Sequence, residues 1–306
     1  MRPANLFQKF SETHKGFISL EFCPIFCNFA TQNYVLMEAT KILYIAQEIV
    51  PYVPESEIAN LCRKLPQSVQ EKSHEVRLFM PKFGHINERR NQLHEVIRLS
   101  GQNIDIDDTD HPLFIKVASI PAAHMQVYFI DNEDFFVRKG ILGEKVGEEF
   151  EDNDERMIFF ARGVIETVKK LRWEPEVIHC HGWFSALLPF YLKKAFNNDP
   201  FFQNAKIVYS LYNESFKNPL CDRFVDKSVI EGLSADDLAP YAGKALSYND
   251  LMKFALDFSD AAIIGSENVD AELVNYAKEH VKHVLPYQPA EASAEAYCTF
   301  YDEISK

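Results

Sequence analysis

From residue 41 onward, short apolar runs alternate with stretches in which apolar residues recur every three or four positions. "KILYIA" (41–46) is a run suited to a strand buried on both faces. Residues 55–72 then place Ile58, Leu61, Cys62, Leu65 and Val69 on one helical face. "EVRLFM" (75–80) predicts a second strand, ended by Pro81 and Gly84. Segments near 93–99, 113–119 and 124–130 alternate or run apolar and predict an antiparallel excursion of hairpins. A long helix is predicted over 154–171, where Ile158, Ala161, Ile165 and Val168 form a stripe widened by Val164 and Leu171. Pro175 ends it. "EVIHC" (176–180) is another buried strand, followed by helix 183–196, strand 206–212, helix 249–258, strand "AAIIG" (261–265) and helix 267–280. This alternation predicts an α/β, doubly wound, mostly parallel sheet with helices on both faces. The section 214–247 is irregular and polar, and the tail 285–306 is expected to pack poorly.

Composition narrows the partners. The net charge of −13 over 306 residues excludes a general nucleic-acid or anionic-membrane surface. Only 11 glycines are present, so few close backbone approaches to a ligand can be built. Cysteines at 23, 27, 62, 180, 221 and 298 form no CxxC pair and no disulfide framework, which points to a reducing cytoplasm. Residues 1–36 do not resemble the rest. Their apolar part is broken by Glu21, Pro24 and Asn28, unlike a secretory signal or a membrane span. They are expected to be a disordered or non-native extension, with translation starting at Met37 and the domain running over 37–284. A loosely packed N-terminal arm is the competing reading.

In "HCHGWFSALLPFYLKK", His179 and His181 stand two apart at a strand end and point to the same side. A metal would need a third ligand at suitable spacing, and none stands nearby. Residues just past the carboxyl end of a strand face the ligand crevice of a doubly wound sheet. His181 and Trp183 therefore either line a site or pack at the strand end. Tyr212 and Asn213 close "KIVYSLYN", and an aromatic face beside an amide suits a sugar. The competing reading is a turn-initiating asparagine after a core strand. In "EDNDERM", Asp152 or Asn153 is expected to cap the long helix, which would account for both. The charged stretch 84–101, with Arg89 and Arg90 beside Glu88 and Glu95, reads as a solvated or partner-binding surface. The acidic turn "DDTDHP" (107–112) pairs no carboxylates across a cleft.

"PYVPESEI" (51–58) occupies the strand-to-helix turn where such sheets often cradle phosphate on glycines. It has no glycine. Glu55 and Glu57 put carboxylates at the helix start, where each interacts favourably with the helix dipole by about 0.3–1 kcal/mol. Pro54 suits the first helical position.

Taken in order, these segments resemble the N-terminal (starch synthase catalytic) domain of bacterial glycogen/starch synthases, retaining glucosyltransferases. The likeness runs over about 41–276. "ILYIAQEIVPYVPESEIANLCRKLP" is similar to the family's first strand, K-x-G-G-L loop and first helix, and "HEVRLFMPKFGHI" to its second strand. "DNDER" is similar to its D-N-x-x-R segment, "VIHCHGW" to V-H-x-H-D-W, and "VYSLYN" stands where the family has a strand ending in His-Asn. "LMKFALDFSDAAIIGS" resembles its K-x-x-x-x-x-A-D-x-I-x-x-V-S segment. The resemblance implies one Rossmann-like half of a GT-B architecture, the acceptor-side half of an ADP-glucose-dependent enzyme of α-1,4-glucan metabolism. It implies no cofactor, since ADP-glucose would be a substrate. Asp152, Asn153, Arg156, His179, His181, Trp183 and Asn213 match the family motifs by identity. The loop's lysine falls on Pro54 and its two glycines on Ser56 and Glu57; the aspartate of H-x-H-D-W is Gly182 and the histidine of His-Asn is Tyr212. With the loop degenerate in this way, no catalytic residue is assigned. The chain is expected to be inactive alone and completed by a separate C-terminal half. The alternative is a non-catalytic glucan-binding, regulatory or protein-interaction domain.

Overall fold

A computed structural model describes residues 39–305 apart from 146, 147 and 234, so the reading of 1–36 lies outside the described residues. The first half of the chain supplies β1 (Lys41–Ala46), α1 (Glu57–Glu71), β2 (Glu75–Pro81), α2 (Glu88–Asn91), β3 (His94–Glu95), β4 (Gln102–Ile106), β5 (Thr109–Ile120), β6 (Met125–Asp131), α3 (Glu133–Phe136) and the small pair β7 (Gly143–Lys145) and β8 (Glu148–Glu149). The second supplies α4 (Asn153–Leu171), β9 (Val177–His181), α5 (Leu188–Lys194), β10 (Lys206–Leu211), α6 (Phe224–Lys227), α7 (Ala235–Leu238), α8 (Tyr248–Asp257), β11 (Ala261–Ile264), α9 (Ala271–His280), β12 (His283–Leu285) and α10 (Ala290–Ile304).

The main sheet runs β12-β11-β10-β9-β1-β2-β6-β5-β3, with β4 paired to β5. Neighbours from β12 to β6 are parallel, and β5 pairs antiparallel with β6, β3 and β4. The α/β doubly wound sheet is the one the alternation predicts. The excursion is narrower than expected, because β6 joins the parallel part beside β2.

Strand order reverses at β1, and this reversal places the helices. From β1 to β2 the chain moves one way across the sheet; from β9 through β12 it moves the other. Right-handed crossovers therefore put α1 on one face and α5, α8 and α9 on the opposite face. The register sets Tyr44 beside His179, and Ala46 beside His181 beside Ser210. Paired residues of parallel strands point the same way, so Tyr44, His179, His181 and Ser210 share one face.

That face, where β9 and β10 run on beyond α1, is covered by α10. Tyr297, Tyr301 and Ile304 of α10 are buried, and the Tyr301 hydroxyl reaches both Tyr44 and His179. The expectation of a poorly packed tail is thus overturned. Pro286 and Pro289 break only the lead-in, while positions 297, 300, 301 and 304 repeat at helical spacing and bury. Two other boundaries shift. The helix expected over 183–196 splits into a single 3-10 turn (Trp183–Ser185) and α5, with Pro189 in the first turn of α5. The helix expected from 267 starts at Ala271, where the Asp270 side chain accepts from the Glu272 N–H. The irregular section 214–247 still contributes Leu220, Phe224, Val225 and Leu246 to the core. No helix among the described residues is long and apolar enough to cross a membrane.

Candidate functional site

The crevice beyond the carboxyl ends of β1, β9 and β10 begins with the loop that opened into α1. Ser56 is the helix N-cap: its side chain accepts from the Ala59 N–H at 3.0 Å and donates to Glu48 Oε2 at 2.5 Å. Pro54 lies two residues before the cap, not at the first helical position, because Ser56 has the side-chain oxygen that can satisfy an unpaired N–H. Glu57 follows in the first turn and accepts from the Ser266 hydroxyl. The residues on the family's lysine and glycine positions thus form a capped helix start bounded by carboxylates.

His179 and His181 are fully buried, with ring centroids 3.8 Å apart. His179 bonds the Tyr301 hydroxyl through Nδ1 and Ser210 Oγ through Nε2, both at 2.7 Å. His181 Nδ1 bonds the Tyr212 hydroxyl at 2.6 Å, and its Nε2 has no protein partner. Burial, with His181 adding to it, holds His179 well below the usual imidazole range; burial pulls His181 down to about 3. Both rings are neutral at physiological pH. Among the described residues no group of three or more His, Cys, Asp or Glu side chains is arranged to hold a metal ion.

Gly182 follows at φ +80° and ψ 155°, a region open essentially to glycine alone. A Cβ there would lie 2.4 Å from the Gln47 side chain. Gln47 occupies that space with purpose: its Oε1 accepts from the Phe184 N–H at 3.2 Å and its Nε2 donates to Glu214 Oε1 at 2.5 Å. Tyr212 fits through a similar vacancy, its ring lying where a Cβ on Gly265 would stand.

Burial, and then the nearby Glu48 charge, pushes Glu214 up to about 8 from 4.5, and its Oε2 is buried without a partner. Folded Glu214 therefore keeps its proton up to about pH 8, whereas in the unfolded chain it ionises near 4.5. Its contribution to stability is complete below pH 4.5 and is lost progressively as pH rises to about 8. Glu214→Gln is expected to flatten that part of the stability profile, as measured by urea denaturation at a series of pH values. An unchanged slope would mean that the carboxyl is already ionised in the fold.

Beside this floor lies a cavity of about 480 Å³ bounded by Trp183, Phe216, Asn153, Glu149, Asn218 and Lys227, among others. Phe216 and Glu149 also border a second cavity of about 460 Å³ that includes Glu48 and Ser215. Asp152 is the N-terminal residue flanking α4, yet its side chain makes no cap; it pairs with Arg138 at 2.5 Å. Capping therefore does not explain this aspartate, because Arg138 offers a charged partner instead. Asn153 is buried, donates to the Leu142 carbonyl and accepts from Arg156 Nη1 at 2.6 Å. Arg156 lies fully buried among the rings of Phe150, Phe136, Phe184 and Phe83, at 5.0–5.8 Å. Burial, then the neighbouring Arg138 cation, pulls it down to about 9.

Residues 41–286 match the family model described as the starch synthase catalytic domain. The chain belongs to that family. It is 38% identical over 174 residues to a glycogen synthase of Chlorobium limicola, covering 56% of this chain and 36% of that protein. It is 34% identical over 230 residues to a glycogen synthase of Chlorobaculum parvum, covering 73% and 46% respectively. The chain thus spans less than half the length of these curated relatives. Among solved structures, the catalytic domain of starch synthase IV from Arabidopsis thaliana, bound to ADP and acarbose, superposes with a TM-score of 0.61 at 18% identity. That match covers 81% of this chain and 51% of the other, and it shows a shared fold.

The sequence-predicted residues fall into three places. Trp183 and Asn153 meet at one cavity. His181 and Tyr212 are bonded to each other on the sheet face beneath α10. Asn213 is exposed, with its backbone N–H donating to Ser266. Gln47, Glu48, Glu214 and Phe216 were missed by the sequence reading. A signal existed for Gln47 and Glu48, since both directly follow β1 at its carboxyl end, where crevice residues are expected.

Proposed function

We propose that this chain is the acceptor-side half of a glycogen synthase-like glucosyltransferase, that it does not transfer glucose alone, and that a separate C-terminal half supplies the nucleotide-sugar groups. The observation that carries the reading is the loop 47–57. It bears Glu48, Glu55 and Glu57 and neither lysine nor arginine. A departing nucleoside diphosphate needs preorganised N–H groups and cations. Here the helix start is already capped by Ser56, and carboxylates border it. The chemistry that such a leaving group requires must come from elsewhere. Cys62, Cys180, Cys221 and Cys298 are free thiols, which supports action in a reducing cytoplasm.

A second reading, a non-catalytic glucan-binding or interaction domain, draws on the burial of His181 and Tyr212, where the imidazole Nδ1 and the Tyr212 hydroxyl bond each other. One assay separates the two. The purified chain, incubated with ADP-glucose and glycogen, is expected to give no glucose transfer. Addition of a C-terminal half from a related glycogen synthase is expected to restore it. Turnover by the chain alone would overturn both readings, and no turnover in either condition would favour the second.

A further inference from the structure

Two half-buried carboxylates near the crevice, Glu48 and Glu149, have no cationic partner among the described residues, and neutral donors hold each in place. Glu149 accepts from the Lys217 backbone N–H at 3.0 Å and from Asn218 Nδ2 at 3.2 Å. Glu48 accepts from the Ser56 hydroxyl at 2.5 Å. A third carboxylate, Asp154, is only 1% exposed; Lys227 engages its Oδ2, and its Oδ1 has no hydrogen-bond partner. The three belong to adjoining cavities. Glu149 and Asp154 line the one of about 480 Å³ beside Trp183, while Glu149 and Glu48 line the one of about 460 Å³. Phe216 borders both, its ring set edge-on against Trp183 at 5.0 Å and Tyr248 at 5.6 Å.

The charges of the lining select the ligand. Among the described residues of the first cavity, Glu149, Glu151 and Asp154 stand against Lys227; in the second, Glu48, Glu144 and Glu149 stand against Lys145. Both cations are already engaged. Lys227 bonds Asp154 at 2.9 Å and Glu155 at 2.7 Å, and Lys145 stands 3.6 Å from Glu148. The walls therefore keep a surplus of negative charge, and an unpaired carboxylate in a partly desolvated wall gains from an arriving cation. A single metal ion does not match it, since no described group of three or more His, Cys, Asp or Glu side chains is arranged to hold one. The charge is spread instead along two cavities that share a ring. Ammonium groups joined by methylenes match that pattern: the nitrogens bond the carboxylates, and the chain and a cation–π contact use Phe216. We propose that the two cavities form one groove that binds a linear aliphatic polyamine. Neither the ligand nor the charge of the groove depends on the transferase reading.

The test is calorimetric titration of the full chain with spermidine. Spermidine is expected to bind, with an affinity that falls as salt is raised. Glu149→Gln removes the charge common to both cavities and is expected to weaken binding by about tenfold. Phe216→Ala removes the shared ring and is expected to weaken it as well. Glu279→Gln, at an exposed position lining neither cavity, is expected to leave it unchanged. Magnesium ion and trilysine are each expected to bind more weakly than spermidine. The proposal is overturned if the wild-type chain does not bind spermidine. It is equally overturned if Glu279→Gln weakens binding as much as Glu149→Gln, since that is diffuse attraction to an acidic protein. Tighter binding of trilysine would overturn the polyamine in favour of a basic peptide, and tighter binding of magnesium would overturn it in favour of a metal site. The ADP-glucose assay reads none of these outcomes, so the two proposals fail separately.

Discussion

Tyr301→Ala is expected to destabilise the fold by about 3–5 kcal/mol, the range for deleting a buried aromatic side chain. Tyr301 is fully buried on α10, and its hydroxyl sits 2.7 Å from His179 Nδ1 and 3.2 Å from the Tyr44 hydroxyl. Truncation therefore does two things. It opens a cavity between α10 and the sheet, and it leaves Nδ1 of a neutral, buried imidazole without a partner. Tyr301→Phe separates the two terms. It keeps the ring and removes only the hydroxyl, so it is expected to cost about 1–3 kcal/mol. Urea denaturation of both variants measures the difference. A loss below about 1 kcal/mol for Tyr301→Ala would mean that α10 is not docked, because undocked surface residues fall in that range. The expected size follows from the sheet. Helices α5, α8 and α9 cross on the opposite face, while α10 brings the Tyr301 hydroxyl onto His179 Nδ1 and sets the Tyr297 ring 5.9 Å from that imidazole.

The same dependence explains what could be read from the sequence and what could not. Strands such as "KILYIA" and the α4 stripe declare themselves locally, because their burial follows from a period within six to nineteen residues. Order along the chain then implies the reversal at β1. The docking of α10 is different in kind. Its partners Tyr44 and His179 lie 257 and 122 residues away, and nothing nearby signals that an uncovered sheet face awaits a helix. The site divides along the same line. That His179 and His181 share a face is a statement about strand period, and it was legible. That His181 turns its Nδ1 to Tyr212, and that Asp152 pairs with Arg138 and makes no helix cap, depends on which groups from other elements the fold brings within reach. Glu214 is the extreme case. Its sequence neighbours suggest an ordinary loop carboxylate, and only its burial, with the Glu48 charge arriving from the end of β1, makes it a protonated one.

Gly182→Asp, which restores the residue of the family's H-x-H-D-W pattern, is expected to cost about 2–6 kcal/mol and to gain no transferase activity. Two strains add to give that range. The backbone at φ +80° and ψ 155° costs about 1–3 kcal/mol for any side chain. The new Cβ would meet Gln47 atoms at 2.4–2.7 Å, and overpacking of this kind costs about 1–3 kcal/mol. Gln47 cannot simply step aside, since it holds the Phe184 N–H and the Glu214 carboxyl. A double-mutant cycle with Gln47→Ala checks the account. Gln47→Ala alone leaves two groups unpaired and should destabilise, yet in that background the aspartate should cost less, because only the backbone term remains. Strict additivity would place the strain elsewhere. An aspartate at 182 would also bring a third carboxylate toward Glu214, which burial and then the Glu48 charge already keep protonated. Gln47, Gly182 and Glu214 therefore hold one another in place, and an aspartate at 182 alone does not rebuild a site whose space the neighbouring side chains occupy.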